Sequence, residues 1–228
     1  MQVEICVSSI QSAVNAKKGG AERVELCQNL NEGGTTPSAA AIEYCVHQLD
    51  LRTHVLVRPR PGNFVYSPEE MEVLLRDIEL CRLMGAQAVV VGFLTAEGDI
   101  DVEKTRQAVE AAGEMEVTFH RAFDECRDWR RGLQDIIACG CDRILTSGQR
   151  PTAFEGRETL REMVQAAENK LVILAGSGVT PANVAQLIKE SGVSEVHGSC
   201  KHQVNGISET DENQVRELLI LAKNACLA

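Results

Sequence analysis

A closed (β/α)8 barrel, a TIM-type α/β fold, is the architecture this sequence predicts. Three observations lead there. Short apolar runs and amphipathic stretches alternate eight times, which predicts a parallel sheet with crossover helices. The chain has 228 residues, a length at which eight such units close compactly. No Gly-rich dinucleotide fingerprint follows the first strand, so an open doubly wound sheet is the weaker solution. No linker or low-complexity segment divides the chain, and residues 1–228 are expected to form one barrel domain.

The strand-like runs are Val3–Val7, Arg23–Cys27, Thr53–Arg58, Ala88–Phe93, Glu116–His120, Arg143–Thr146, Leu171–Ala175 and Glu195–His197. Helices are expected between them. Ser67-Pro68-Glu69-Glu70 opens one over Ser67–Met84, and Thr180-Pro181 opens another over Thr180–Glu190. Each start pairs an N-cap residue with Pro at the first helical position. A last helix spans about Asp211–Ala225. Gly20, Gly85, Gly140 and Gly192 stand where helices should end, because a C-terminal cap favours the left-handed conformation.

Composition narrows the function classes. The chain is 44% hydrophobic and 25% charged, ordinary for a globular protein. No apolar run approaches the 18 residues of a membrane span. Lys plus Arg number 23 and Asp plus Glu 33, a formal charge of −10. Such a surface repels phosphate backbones and anionic lipid, so neither nucleic acid nor membrane is an expected partner. The N-terminal Met1-Gln2-Val3-Glu4-Ile5-Cys6 enters a strand directly and lacks the pattern of a signal peptide. Nine cysteines, an odd number, then suggest free thiols and a cytoplasmic location.

Side chains alternate faces along a strand. Glu4 and Cys6 share one face, as do Glu25 and Cys27, Arg58 and Arg60, Thr118 and His120, and the polar residues of Glu195–Ser199. A parallel strand covered by helices should read as nearly continuous apolar sequence. Polar groups at period two therefore point into the barrel, where an unpaired charge is costly. A ligand site inside the barrel follows.

Sites in this fold form at the C-terminal strand ends. Cys6 and Cys27 come from neighbouring strands after the same Glu-x-Cys pattern, so two thiolates can approach one soft ion such as Cu(I). The alternative is that both are small core residues. His120 and His197 are further candidate ligands. Cys139-Gly140-Cys141 falls at the opposite, N-terminal end of the strands and is expected to be structural. Glu4, Glu25 and His120 are the candidate acid–base groups of an enzyme. Alternatively, Glu4 and Glu25 neutralise Arg58 and Arg60 in a charge network. Arg58, Arg60, Arg121, Ser147, Gly176, Gly178, His197 and Ser199 are the candidate ligand-binding residues. Gly176-Ser177-Gly178 and His197-Gly198-Ser199 have the placement of a barrel phosphate cradle, or of plain tight turns. Asp124 pairs with Arg121 or His120, or caps the next helix.

Six ordered motifs carry a resemblance. They are Val3-Glu4-Ile5-Cys6, Gly20-Ala21-Glu22-Arg23-Val24-Glu25-Leu26-Cys27, Glu32-Gly33-Gly34-Thr35-Thr36-Pro37-Ser38, Arg58-Pro59-Arg60-Pro61-Gly62, Thr118-Phe119-His120-Arg121-Ala122-Phe123-Asp124 and Leu145-Thr146-Ser147-Gly148. Together they resemble the CutC family along nearly the whole chain. The resemblance implies a TIM-type barrel, a cytoplasmic protein, copper homeostasis with Cu(I) binding, and a homodimer. The family's copper-binding cysteines match Cys6 and Cys27. The segment Cys200–Ile207 is shorter than the loop that many relatives carry after strand eight.

Two functions are thus expected in competition. One is a Cu(I)-binding protein of copper homeostasis, with Cys6 and Cys27 as metal ligands. The other is a barrel enzyme acting on a small anionic or phosphorylated metabolite by acid–base chemistry. The partner is accordingly a copper ion or a small anionic ligand. No organic cofactor is expected.

Overall fold

The computed structural model describes residues 1–204 and 206–226. In chain order its elements are β1 (Gln2–Val7), α1 (Ile10–Lys18), β2 (Arg23–Leu26), α2 (Ala39–Glu43), β3 (Arg52–Leu56), α3 (Pro68–Leu83), β4 (Ala88–Val91), α4 (Val102–Ala112) and β5 (Glu116–Phe119). They continue with α5 (Trp129–Cys139), β6 (Arg143–Thr146), α6 (Arg157–Ala167), β7 (Val172–Gly176), α7 (Val184–Ser191), β8 (Glu195–Gly198), β9 (Lys201–Val204), β10 (Ile207–Thr210) and α8 (Glu212–Ala225). Strands β1 to β8 pair in order, all parallel, and β1 closes on β8. The predicted (β/α)8 barrel is therefore the fold. No helix of the described residues is long and apolar enough to cross a membrane.

Register decides which residues face the interior. Cys6 pairs with Glu25, Glu25 with His54, His54 with Ala88, and Ala88 with Glu116. Beyond a two-residue step, Thr118 pairs with Arg143, Leu174 with Glu195, and His197 with Glu4. Residues level across a ladder share a face. This parity is the polar one. The opposite parity carries Val3, Ile5, Val24, Leu26, Val55, Val89, Val117, Phe119, Ile144 and Val196, all buried in the main apolar core. Helices cover that outer face, where most of the hydrophobic stabilisation resides.

Local chemistry explains the ends of the elements. Ser67 accepts from the Glu70 N–H while the Glu70 carboxylate accepts from the Ser67 N–H, a full capping box at α3. Asp101, Asp128 and Asp211 cap α4, α5 and α8 through their side chains. Gly140 and Gly192 end α5 and α7 at φ 87° and 73°, a conformation costly for a side chain bearing Cβ.

Two expectations are corrected. Thr180-Pro181 does not start α7: Asn183 is its N-cap, and Thr180 donates its N–H to the Asn183 side chain within a preceding turn. The segment after β8, expected as a loop, is an antiparallel hairpin of β9 with β10. Its far end docks on α1, where Thr210 N–H donates to the Ser12 hydroxyl and the Asn15 amide donates to Thr210 O.

Candidate functional site

The barrel interior divides into three zones along its axis. The N-terminal end is ionic. Arg23 meets Glu195 at 2.5 Å, and Arg143 meets Glu195 at 3.3 Å and Glu116 at 2.7 Å. Arg52 closes on Glu116 at 2.5 Å. Glu4 sits above them. Arg23 Nε and His54 Nδ1 approach its Oε2 at 3.0 and 2.8 Å as charge contacts outside hydrogen-bond angles. The middle zone is a small apolar layer of Cys6, Cys27, Leu56 and Val90. The C-terminal end opens into a cavity of about 690 Å³.

Cys6, Glu25 and His197 share one wall of that cavity. A sulfur, a carboxylate oxygen and a ring nitrogen from these three lie within 4.8 Å of one another. Glu4 orients the histidine: its Oε1 lies 2.9 Å from His197 Nδ1. That contact leaves Nε2 toward Glu25, 3.8 Å away. A carboxylate behind a histidine fixes its ring and tautomer. Cys27 stands behind Cys6, with Sγ–Sγ 3.9 Å and its own Sγ 3.5 Å from Val7 O. It is outside the cavity wall.

Environment sets the charges. Hydrogen bonding to Cys27 and burial push the Cys6 thiol well above its ordinary value. Burial also raises Glu25, helped by the Glu4 charge and only partly offset by His197. Burial alone would raise Glu4 too, but His54, His197 and Arg23 outweigh it and hold the carboxyl well below its usual range. For His197, burial is overcome by Glu25, Cys6 and Glu4, which lift it well above 6.5. The resting site is a neutral thiol beside a protonated imidazole.

The other wall differs in chemistry. His120 is buried, and burial together with the Arg58 charge pulls it down to about 3. Its Nδ1 accepts from the Ala122 N–H at 3.1 Å. The proton of this neutral ring therefore sits on Nε2, which has no protein partner. In this state His120 presents a hydrogen-bond donor at Nε2. Gly92 makes room for it, since a Cβ there would stand 2.3 Å from the ring. Phe64 packs on the His120 ring at 4.9 Å, and the Arg58 guanidinium lies over the Phe64 ring at 5.0 Å.

The expected pairing of Glu4 and Glu25 with Arg58 and Arg60 does not form. Arg58 donates to the carbonyls of Glu32, Gly34 and Gly62. Arg60 turns outward to Glu70, with Nε–Oε1 at 2.5 Å. The physical reason lies in strand length: β3 ends at Leu56, so period-two alternation no longer applies at Arg60. Arg121, Gly178 and Ser199 line the cavity, whereas Gly176 and Ser147 do not. Asp124 pairs with Arg121 and takes hydrogen bonds from Thr146, Ser147 and Gln149, tying down the end of β6; Asp128, not Asp124, caps α5. Cys139 and Cys141 are buried near the N-terminal strand ends as expected, and Cys139 Sγ faces Val102 O at 3.6 Å. Sequence reasoning missed Arg23, His54, Glu116 and Arg143. The signal was present for Arg23, His54 and Glu116, each of which shares the parity of a residue on its own strand already assigned to the interior; no such residue had been assigned on β6 for Arg143.

Comparison with known proteins agrees with this architecture. The profile of the CutC family matches residues 1–202. A CutC family protein of Chromobacterium violaceum is 47% identical over 202 residues, covering 89% of this chain and 82% of that protein. One from Bacteroides fragilis is 47% identical over 202 residues, covering 88% and 80%. A crystal structure of CutC from Streptococcus agalactiae, described as a candidate copper homeostasis protein, superposes with a TM-score of 0.83 at 32% identity, covering 87% of this chain and 98% of that one. The six motifs, the closed barrel and these similarities together establish that the chain belongs to the CutC family.

Proposed function

We propose that this chain binds one Cu(I) ion as cargo at the barrel mouth, with Cys6 and His197 as ligands and Cys27 as the second sulfur. The observation that carries this is the cluster of Cys6, Glu25 and His197 donor atoms within 4.8 Å of one another in the cavity wall. Thiolate and imidazole are soft to borderline donors and suit Cu(I) better than a hard cation. Two sulfurs bonded to one ion at about 2.3 Å each can stand at most about 4.6 Å apart. The observed 3.9 Å between Cys6 and Cys27 lies within that reach. Glu25, buried level with Cys6, serves as a countercharge rather than as a preferred donor. The copper homeostasis description of the Streptococcus agalactiae protein points the same way.

Loading releases the thiol protons of Cys6 and Cys27 and the proton on the ligating nitrogen of His197. Affinity therefore rises with pH. An anaerobic Cu(I) competition titration against a tight chromogenic chelator tests this between about pH 6 and 8. One-to-one binding that strengthens with pH and is lost in Cys6→Ser/Cys27→Ser is the expected result. Unchanged affinity in the double variant would overturn the proposal.

A further inference from the structure

Arg58 is a buried cation without an acid. It is 5% exposed, its Nη atoms donate to backbone carbonyls, and its Nε has no hydrogen-bond partner. Among the described residues no carboxylate forms an ion pair with it. The other buried arginines are paired: Arg23 with Glu4 and Glu195, and Arg143 with Glu116 and Glu195. An uncompensated buried charge is costly unless a ligand neutralises it. Arg58 lines the cavity, and so does Lys201, which has no ion-pair partner among the described residues.

Opposite stands a backbone built to receive an anion. Ser177 and Gly178 both have positive φ, 84° and 67°. A serine held there is under strain, and such strain persists where the surroundings enforce it. The Ser177 hydroxyl donates to Pro151 O, and Ser177 O accepts from Ala153 N–H. Those contacts hold the turn in place. The N–H groups of Gly178, Val179 and Ser199 have no protein acceptor among the described residues, and all three residues line the cavity. Successive N–H groups in such turns form an anion-binding nest. His120 Nε2 adds a buried donor with no protein partner in the same cavity.

We propose that the cavity is a binding site for a small phosphomonoester, with its phosphate on the Gly178, Val179 and Ser199 N–H groups in the field of Arg58 and Lys201, and with His120 donating to an oxygen of its organic part. Phosphate is favoured over carboxylate because three unpartnered N–H groups and two cations without acidic partners line one cavity. A volume of about 690 Å³ is more than a bare ion needs and suits a small metabolite. The inference is independent of copper, since none of these groups is a proposed metal ligand.

The test is amide NMR on metal-free protein at constant ionic strength. Inorganic phosphate is titrated first, then glycerol 3-phosphate, with sodium chloride as control. Saturable shifts largest at Gly178, Val179 and Ser199 are expected with both probes. Lys201→Ala should weaken phosphate binding about tenfold. His120→Phe should weaken glycerol 3-phosphate more than phosphate. Arg58→Gln is a further variant, but Arg58 also anchors loops, so the Lys201 and His120 variants decide the matter if it fails to fold. Shifts scattered over the surface, no saturation at tens of millimolar, or binding indifferent to both Lys201→Ala and His120→Phe would overturn the proposal.

Discussion

Glu4 and Glu25 share a residue type, a face and a following cysteine, yet they carry opposite shifts. Glu4 is met by Arg23, His54 and His197 and is held well below its usual range; Glu25 is pushed up by burial and the Glu4 charge despite His197 and the Cys6 hydrogen bond. Their difference places the countercharge for His197 behind the ring and a weaker acid in front of it. The sign of the consequence follows from linkage. The folded value of His197 is raised, so its stabilisation is fully present below 6.5 and is lost as pH rises through the folded value. Wild type should therefore lose thermal stability as pH rises above 6.5 more steeply than His197→Gln. The gap between the two melting curves should narrow as pH rises; a constant gap would show that His197 is uncharged in the fold. The Glu-x-Cys pairs were legible in the sequence as inward residues. The division of labour between the two carboxylates was not, because it depends on His54 and Arg23, which alternation alone does not join to Glu4.

Most barrel strands, β4 and β7 excepted, have one apolar and one polar face, and that pattern alone predicted a ligand site. The helices were legible where side chains cap them. Ser67 and Glu70 satisfy each other's backbone N–H groups, and Glu70 also holds Arg60 at the start of the segment that carries Phe64 to His120. One exposed cap thus bears on one wall of the site. Ser67→Ala should cost about 1 kcal/mol of stability in urea unfolding, with the slope unchanged. An effect near zero would mean that the Arg60–Glu70 contact holds the turn without the cap. Thr180-Pro181 carries a similar local signal but does not cap α7. There the turn is used by the cavity loop, and Asn183 takes over as cap three residues later.

Across the molecule, the N-terminal end of the barrel is closed by charge. Arg23 and Arg143 are 2% and 5% exposed and share Glu195. Such networks add little compared with a well-packed apolar plug, but breaking one strands the remaining charges. Arg23→Met should therefore destabilise the protein by about 3–5 kcal/mol. Because the pair is screened from solvent, the loss should be the same at low and high salt. A loss that shrinks with salt would place the network in contact with water.

The amino-acid pattern alone determined the repeating units, the closed barrel, the parity that points polar groups inward, and the strand ends where chemistry gathers. These are local or periodic properties, set by backbone geometry and apolar spacing. The identity of each polar partner was decided only by tertiary structure. Register and strand stagger place Glu4 among Arg23, His54 and His197, end β3 before Arg60, and leave Arg58 as an unbalanced cation. Interactions between charges depend on distances of a few ångströms and on desolvation, and both are created when eight strands distant in sequence close around one axis.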